Sequence, residues 1–253
     1  MYPNIYLYKT ELYRWGQKYR VFMSDGRLPF GVPDALAGRA DHRWEGPVGW
    51  GLLGRLTGAD YLSLAALFFA WTSAVLLLSG DLHWGIGSMF AAFLFDKFDG
   101  YYARTRCVSS PFGRRVDSFI DVFAYLVTAA LIYHVALSPA PWVTVLVGFA
   151  ILTFGGLRLV RHADEGFGET DGTDYYVGWT VVHVNFVVLL TFYLDLLVGV
   201  SGWLAAVPVV AACPLMVSGY RCYKTTLGHA LAAGVVLTGL AISLAAEFTG
   251  AVG

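Results

Sequence analysis

The sequence predicts an all-α, polytopic integral membrane helix bundle of about seven spans, with six to eight in range, behind an N-terminal juxtamembrane segment. Three observations carry this. Hydrophobic residues make up 57% of the 253 and charged residues only 14%, against about 45–50% and 25% in soluble domains, and the mean hydropathy is +0.59. The apolar residues gather into seven long runs. The basic residues sit at alternate connections between those runs. A net charge of −1 and this apolar content exclude a disordered chain and a strongly basic nucleic-acid binder.

Residues 1–59 form the leader. Lys9, Arg14, Lys18, Arg20, Arg27, Arg39, Arg43 and Arg55 alternate there with Tyr6, Tyr8, Tyr13, Trp15 and Tyr19, a mixture suited to the headgroup level. A membrane-lying helix is expected near 8–23, then an irregular stretch broken by Pro29, Pro33 and Pro47. The run Gly49 to Gly54 matches G-x-G-x-x-G by letters, but no strand precedes it, so it fails as a dinucleotide fingerprint. Cys107, Cys213 and Cys222 have neither zinc spacing nor a disulfide framework.

The catalytic region is expected over 60–253. Its apolar runs lie at about 60–79, 84–103, 113–137, 142–160, 177–198, 203–219 and 227–247, each close to the roughly 20 residues that cross a bilayer. Of the 17 basic residues, all but Lys97 fall in the leader or in connections on the same side as the leader. The positive-inside rule then places the N-terminus in the cytoplasm.

Carboxylates inside spans are costly unless paired, metal-bound or facing water. Asp96 and Asp99 lie in the second span, Asp117 and Asp121 in the third. Their i, i+3 and i, i+4 spacings put each pair on one helix face. The two spans are antiparallel and joined by a short connection, so both pairs reach a similar depth, the deeper member of each about 12 Å in. Oxygen-only ligation of this kind suits magnesium or manganese. Gly100 and Ala103 let a substrate approach the helix, Arg104 can pair with phosphate, and Gly113 opens the next helix, where free N–H groups attract anions. The alternative that the acidic cluster allows is the polar lining of a divalent-cation transporter. No such lining continues to the outer side, where Asp195 and Glu247 stand alone in their spans.

The residues Asp96, Asp99, Gly100, Ala103 and Arg104, then Gly113, Asp117 and Asp121, fill all eight fixed positions of D-x-x-D-G-x-x-A-R … G-x-x-x-D-x-x-x-D. This resembles the signature of the CDP-alcohol phosphotransferase family. The resemblance implies an integral membrane enzyme of phospholipid biosynthesis that displaces CMP from a CDP-linked lipid with a small alcohol, and that is commonly a homodimer. It implies Asp96, Asp99 and Asp117 as metal ligands in a two-metal site, Asp121 as a ligand that also serves as general base, and Gly100, Ala103, Arg104 and Gly113 around the CDP moiety.

Two further stretches are similar to the phosphatidylserine synthase branch. Gly156 to His162 resembles its G-x-L-R-L-A-R-F segment, and Leu215 to Lys224 its L-M-V-S-x-I-x-Y-P-K segment. L-serine is therefore the expected acceptor, with choline, inositol phosphate and glycerol phosphate as alternatives. Arg158 and Arg161, three apart on one face, are the candidates for holding an anionic group of the acceptor. The stretch Tyr175 to Asn185 lacks the proline of that branch's G-L-P-x-P turn and is similar instead to the choline-using branch. His162, His183 and Asn185 are read as bonds between neighbouring helices. The acidic stretch 164–174, which has no EF-hand spacing, is read as a solvated cytoplasmic loop.

Overall fold

A computed structural model describes residues 56–106, 111–170, 173–199, 202–223 and 225–249. The expected membrane-lying helix near 8–23 and the glycine run 49–54 lie outside these residues. The described chain begins with α1 (Gly58–Ser79) and α2 (Leu82–Arg106). The long helix α3 follows: it is α-helical over Pro111–Asp121, π-helical over Val122–Val127, α-helical over Thr128–Ile132 and π-helical again over Tyr133–Leu137. Then come α4 (Pro141–Glu165), strands β1 (Gly168–Thr170) and β2 (Thr173–Val177), α5 (Val181–Val198), α6 (Trp203–Ala212), strand β3 (Arg221–Tyr223) and α7 (Thr226–Thr249).

Among the described residues, α1, α3, α4, α5 and most of α7 are long and apolar enough to cross a membrane. At 25 residues α2 is also long enough, but its inner half carries the charges of the motif. With the shorter apolar segment Trp203–Val217, the seven helices occupy the seven expected runs, and the chain is a multi-pass membrane protein.

Local chemistry accounts for the helix ends. Thr57 caps α1 in a reciprocal box with Asp60: the Asp60 carboxylate accepts from the Thr57 N–H at 2.6 Å, and the Asp60 N–H donates back to the Thr57 hydroxyl. Gly80, in the left-handed conformation, ends α1. The turn to α2 is tight because Ser73 donates to the Gly85 carbonyl at 2.7 Å and a Cβ at Gly85 would meet Leu77 at 2.7 Å. Small residues at a helix contact are the means by which membrane helices approach closely.

Helix α3 sits at the centre of the bundle. Half of its apolar window is buried, against 17% for α7. Ala124, Tyr125, Leu126, Ala129, Ile132 and Tyr133 are all within the core, packed with Met89 and Phe93 of α2, Ile151 and Leu159 of α4, and Val184 and Val188 of α5.

Three stretches depart from expectation. The acidic stretch 164–174, expected as a loop, contains β1 and the start of β2, which pair antiparallel; β2 pairs in turn with β3. The run expected to be helical over 177–198 begins only at Val181. Val177 ends β2, and Gly178 turns the chain at φ +79°. Its N–H donates to the Tyr220 carbonyl at 2.6 Å, and Trp179 N–H donates to the Leu215 carbonyl at 3.0 Å. The sixth run also changes early. The backbone tightens to a 3-10 helix over Cys213–Val217, where Pro214 supplies no N–H to continue an α-helix. The small sheet and the Gly178 turn thus tie the start of α5 to the end of α6 without a proline.

At Gly178 a Cβ would lie 2.3 Å from the Met216 carbonyl oxygen, on top of the unfavourable φ. Gly178→Ala is therefore expected to destabilise the protein by at least about 1 kcal/mol, read as a lowered thermal midpoint in detergent.

Candidate active site

Helices α2 and α3 bring the motif carboxylates together. Asp96, Asp99 and Asp117 each offer an oxygen within 4.8 Å of the others. Asp99 is buried, and the other two are half-buried. Two of the three are held by side chains. Asp99 accepts a hydrogen bond from the buried Ser63 hydroxyl of α1 at 2.5 Å. Asp96 accepts from the Tyr125 phenol of α3 at 2.6 Å and from the Lys97 ammonium at 2.8 Å. Lys97, the basic residue left inside a span, is thus the ion-pair partner of a motif carboxylate.

The donor set fits a hard divalent cation. It consists of carboxylate oxygens alone, and an octahedral shell with bonds near 2.1 Å separates its oxygens by roughly 3–4.2 Å. A contraction of at most about 2 Å in any one of these separations would bring the three carboxylates into such a shell. Asp121 lies one turn beyond Asp117 on α3 and is not part of the three-carboxylate set. Among the four motif aspartates the geometry therefore groups three and separates one.

The glycines and Arg104 border this group. A Cβ on Gly100 would come 3.2 Å from Arg104 Nη1, so the glycine gives the guanidinium room to fold back along α2. Ala103 and Gly113 are both half-buried. Gly113 lies in the first turn of α3.

Arg158 and Arg161 of α4 have different surroundings. The Arg161 guanidinium donates to the carbonyls of Val177, Met216 and Val217, at 2.5, 3.1 and 3.4 Å. It clamps the Gly178 turn to the end of α6. Arg158 is 3% exposed, and its guanidinium lies 5.2 Å from the centre of the Tyr176 ring. Among the described residues it makes no hydrogen bond or ion pair, so its five N–H donors are available to an acceptor that enters the site. Burial pushes the Tyr176 phenol up from its ordinary value, against the opposing charges of Lys97 and Arg158. The phenol is therefore neutral across the physiological range.

Of the three other polar residues, His162 and His183 meet partners near them in sequence, where bonds to a neighbouring helix were expected, and Asn185 reaches another helix. His162 meets the Gly166 carbonyl at 3.1 Å. His183 joins Thr180 in a box at the start of α5. Asn185 bonds α3, as its reading as an interhelical link expects.

Sequence reasoning missed Ser63, Tyr125 and Tyr176. Tyr125 had a signal, since it continues the four-residue spacing of Asp117 and Asp121. Ser63 had none, because its partner lies 36 residues away.

The sequence profile of the CDP-alcohol phosphatidyltransferase family matches residues 56–214, more than half of the chain, and the chain belongs to that family. It is 30% identical over 161 residues to the archaetidylserine synthase of Methanothermobacter thermautotrophicus, covering 63% of this chain and 66% of that protein. It is 31% identical over 171 residues to the CDP-diacylglycerol–serine O-phosphatidyltransferase of Mycobacterium tuberculosis, covering 62% and 58%. The Bacillus subtilis protein of the same name is 33% identical over 90 residues, covering 35% and 51%. The chain thus spans about half to two thirds of the length of these relatives.

The two arginines should separate in thermal melts. Arg161→Ala removes a charged donor from three carbonyls and is expected to cost about 1.5–3 kcal/mol. Arg158→Met removes a buried charge with no acceptor and is expected to leave the melting temperature unchanged or raise it.

Proposed function

We propose that this protein transfers the phosphatidyl-type group of a CDP-linked lipid to the hydroxyl of L-serine, releasing CMP, as a step of phospholipid biosynthesis. The observation that carries the reading is the convergence of Asp96, Asp99 and Asp117 at the motif positions, in a chain of this family. The printed names of its relatives, two serine O-phosphatidyltransferases and an archaetidylserine synthase, support serine as the acceptor.

Asp96, Asp99 and Asp117, with Asp121 beside them, would hold magnesium or manganese in a one- or two-metal site. Ions bound there would neutralise the pyrophosphate and the charge that develops as CMP departs. The chain's own residues do the rest. Gly100, Ala103, Arg104 and Gly113 border the CDP moiety, where the Arg104 guanidinium would meet phosphate oxygens. Arg158 takes the serine carboxylate, the acceptor its buried guanidinium lacks. Arg161 serves the same pocket indirectly, by fixing the Gly178 turn over which α5 begins.

Asp121, set apart from the three-carboxylate group, takes the proton of the serine hydroxyl. The serine oxygen then forms its bond to the lipid-bearing phosphorus, the bond from that phosphorus to the CMP oxygen breaks, and CMP leaves with the electron pair. The basic residues around the inner connections support a site at the cytoplasmic side of the cell membrane, with the N-terminus on the same side. The working unit is taken to be a homodimer, as the family resemblance implies.

The test is CMP release by purified protein supplied with a CDP-linked diacyl or diether lipid. Release is expected to need L-serine and magnesium or manganese, and to stop on chelation. No release with any small alcohol would overturn the reaction, and release with choline, inositol phosphate or glycerol phosphate but not serine would overturn the acceptor.

Two variants refine it. Arg158→Met is expected to raise the serine KM by roughly 10- to 150-fold, the equivalent of one charge-assisted hydrogen bond, with the KM for CDP-lipid little changed. Asp121→Asn is expected to lower kcat by about 10²- to 10⁴-fold, the usual contribution of a positioned base, while manganese still binds. Asp96→Asn, Asp99→Asn and Asp117→Asn should each weaken manganese binding itself, measured by calorimetry.

A further inference from the structure

The π-helical stretch of α3 begins at Val122, directly after Asp121. Such stretches are rare and frequently mark functional sites. Here its effect is traceable. The stretch presents Tyr125, whose ring is 1% exposed and packs 4.5 Å from Phe93 of α2, so that its phenol donates to Asp96.

One side chain of α5 grips the same turn. Asn185 is fully buried. Its amide nitrogen donates to the Tyr125 carbonyl at 3.0 Å and to the Thr128 hydroxyl at 3.3 Å, and it lies 3.6 Å from the Met89 sulfur. The Thr128 hydroxyl in turn donates to the Ala124 carbonyl at 2.7 Å.

This grip does little for stability. Neither acceptor depends on Asn185, because the Tyr125 carbonyl also accepts the Thr128 N–H and the Thr128 hydroxyl is already a donor. The Asn185 carbonyl oxygen, meanwhile, is buried with no partner among the described residues, a desolvation cost that counts against the two hydrogen bonds of its nitrogen. An apolar residue of the same size would avoid that cost.

We infer that Asn185 is a positioning residue for the cation site: it fixes the π turn of α3 so that the Tyr125 phenol holds the Asp96 carboxylate in its ligating orientation. The link rests on the proposed divalent-cation site and adds α5 to it. Asn185 touches neither substrate nor cation, and acts only through Tyr125. Groups one step removed from a metal's ligands commonly set its affinity in this way.

The experiment measures manganese binding by calorimetry and thermal melting without metal, on the full-length protein in detergent. The variants are Asn185→Leu, Tyr125→Phe and the double variant. Asn185→Leu is expected to melt no lower than the parent yet bind manganese about 10- to 100-fold more weakly. Tyr125→Phe is expected to weaken binding similarly, and the double variant to be no weaker than the weaker single, since both act on one carboxylate. Unchanged manganese affinity in Asn185→Leu, losses that add in the double variant, or a melting temperature well below the parent's would each overturn the inference. A parent protein that binds no manganese would overturn the cation site along with it, whereas binding by the parent with any of those three results overturns the Asn185 link alone.

Discussion

Mutual repulsion among Asp96, Asp99 and Asp117 is what the rest of the bundle has to accommodate. Carboxylates whose oxygens approach within 4.8 Å, in helices that are otherwise largely apolar, cannot all be charged without opposite charge close by. Lys97 supplies one positive charge, and it is already paired with Asp96. A hard divalent cation would supply the remainder with the right ligand chemistry. Without one, the group would have to take up protons or spread apart, and the packing around it leaves limited room to spread.

That packing comes from the helices around α2 and α3. Helix α1 contributes the Ser63 hydroxyl to Asp99, α3 contributes the Tyr125 phenol to Asp96, and α5 contributes Asn185 to the turn that carries Tyr125. On α4, Arg161 fixes the Gly178 turn, and Arg158 lies against the Tyr176 ring of the small sheet. The acidic residues of α3, Asp117 and Asp121, lie within electrostatic reach of Arg158 of α4. That arrangement of charge suits the proposed reaction, in which a pyrophosphate is cleaved and its lipid-bearing phosphoryl group passes to an alcohol that carries a carboxylate.

Much of this was legible in the sequence, for reasons that can be named. Helical periodicity is strong enough to say that Asp96 and Asp99, or Asp117 and Asp121, share a face, and the short connection makes the two faces meet. Long apolar runs gave the spans to within a few residues. The readings that failed involve partners distant in sequence or backbone that leaves the regular helix. No pattern in α1 marks Ser63 as the neighbour of Asp99. The π turn depends on tertiary ties through Asn185 and Thr128, and the apolar composition of 122–127 reads as ordinary helix. The hairpin did have a signal: Asp171-Gly172 falls between β1 and β2, and Asp-Gly is a strong two-residue hairpin turn. The acidic residues around it pointed to solvent and masked it. Arg158 and Arg161 looked equivalent because they are three apart on one helix; only the carbonyls of Val177, Met216 and Val217 distinguish them.

The central claim is that the three grouped aspartates are a cation site and that Asp121 stands beside it. An anomalous difference map from crystals grown with manganese, recorded near the manganese edge, addresses this most directly. The account predicts a peak within bonding distance of carboxylate oxygens from Asp96, Asp99 and Asp117. A manganese peak elsewhere in the bundle, or none at these residues in crystals of protein that releases CMP, would contradict it.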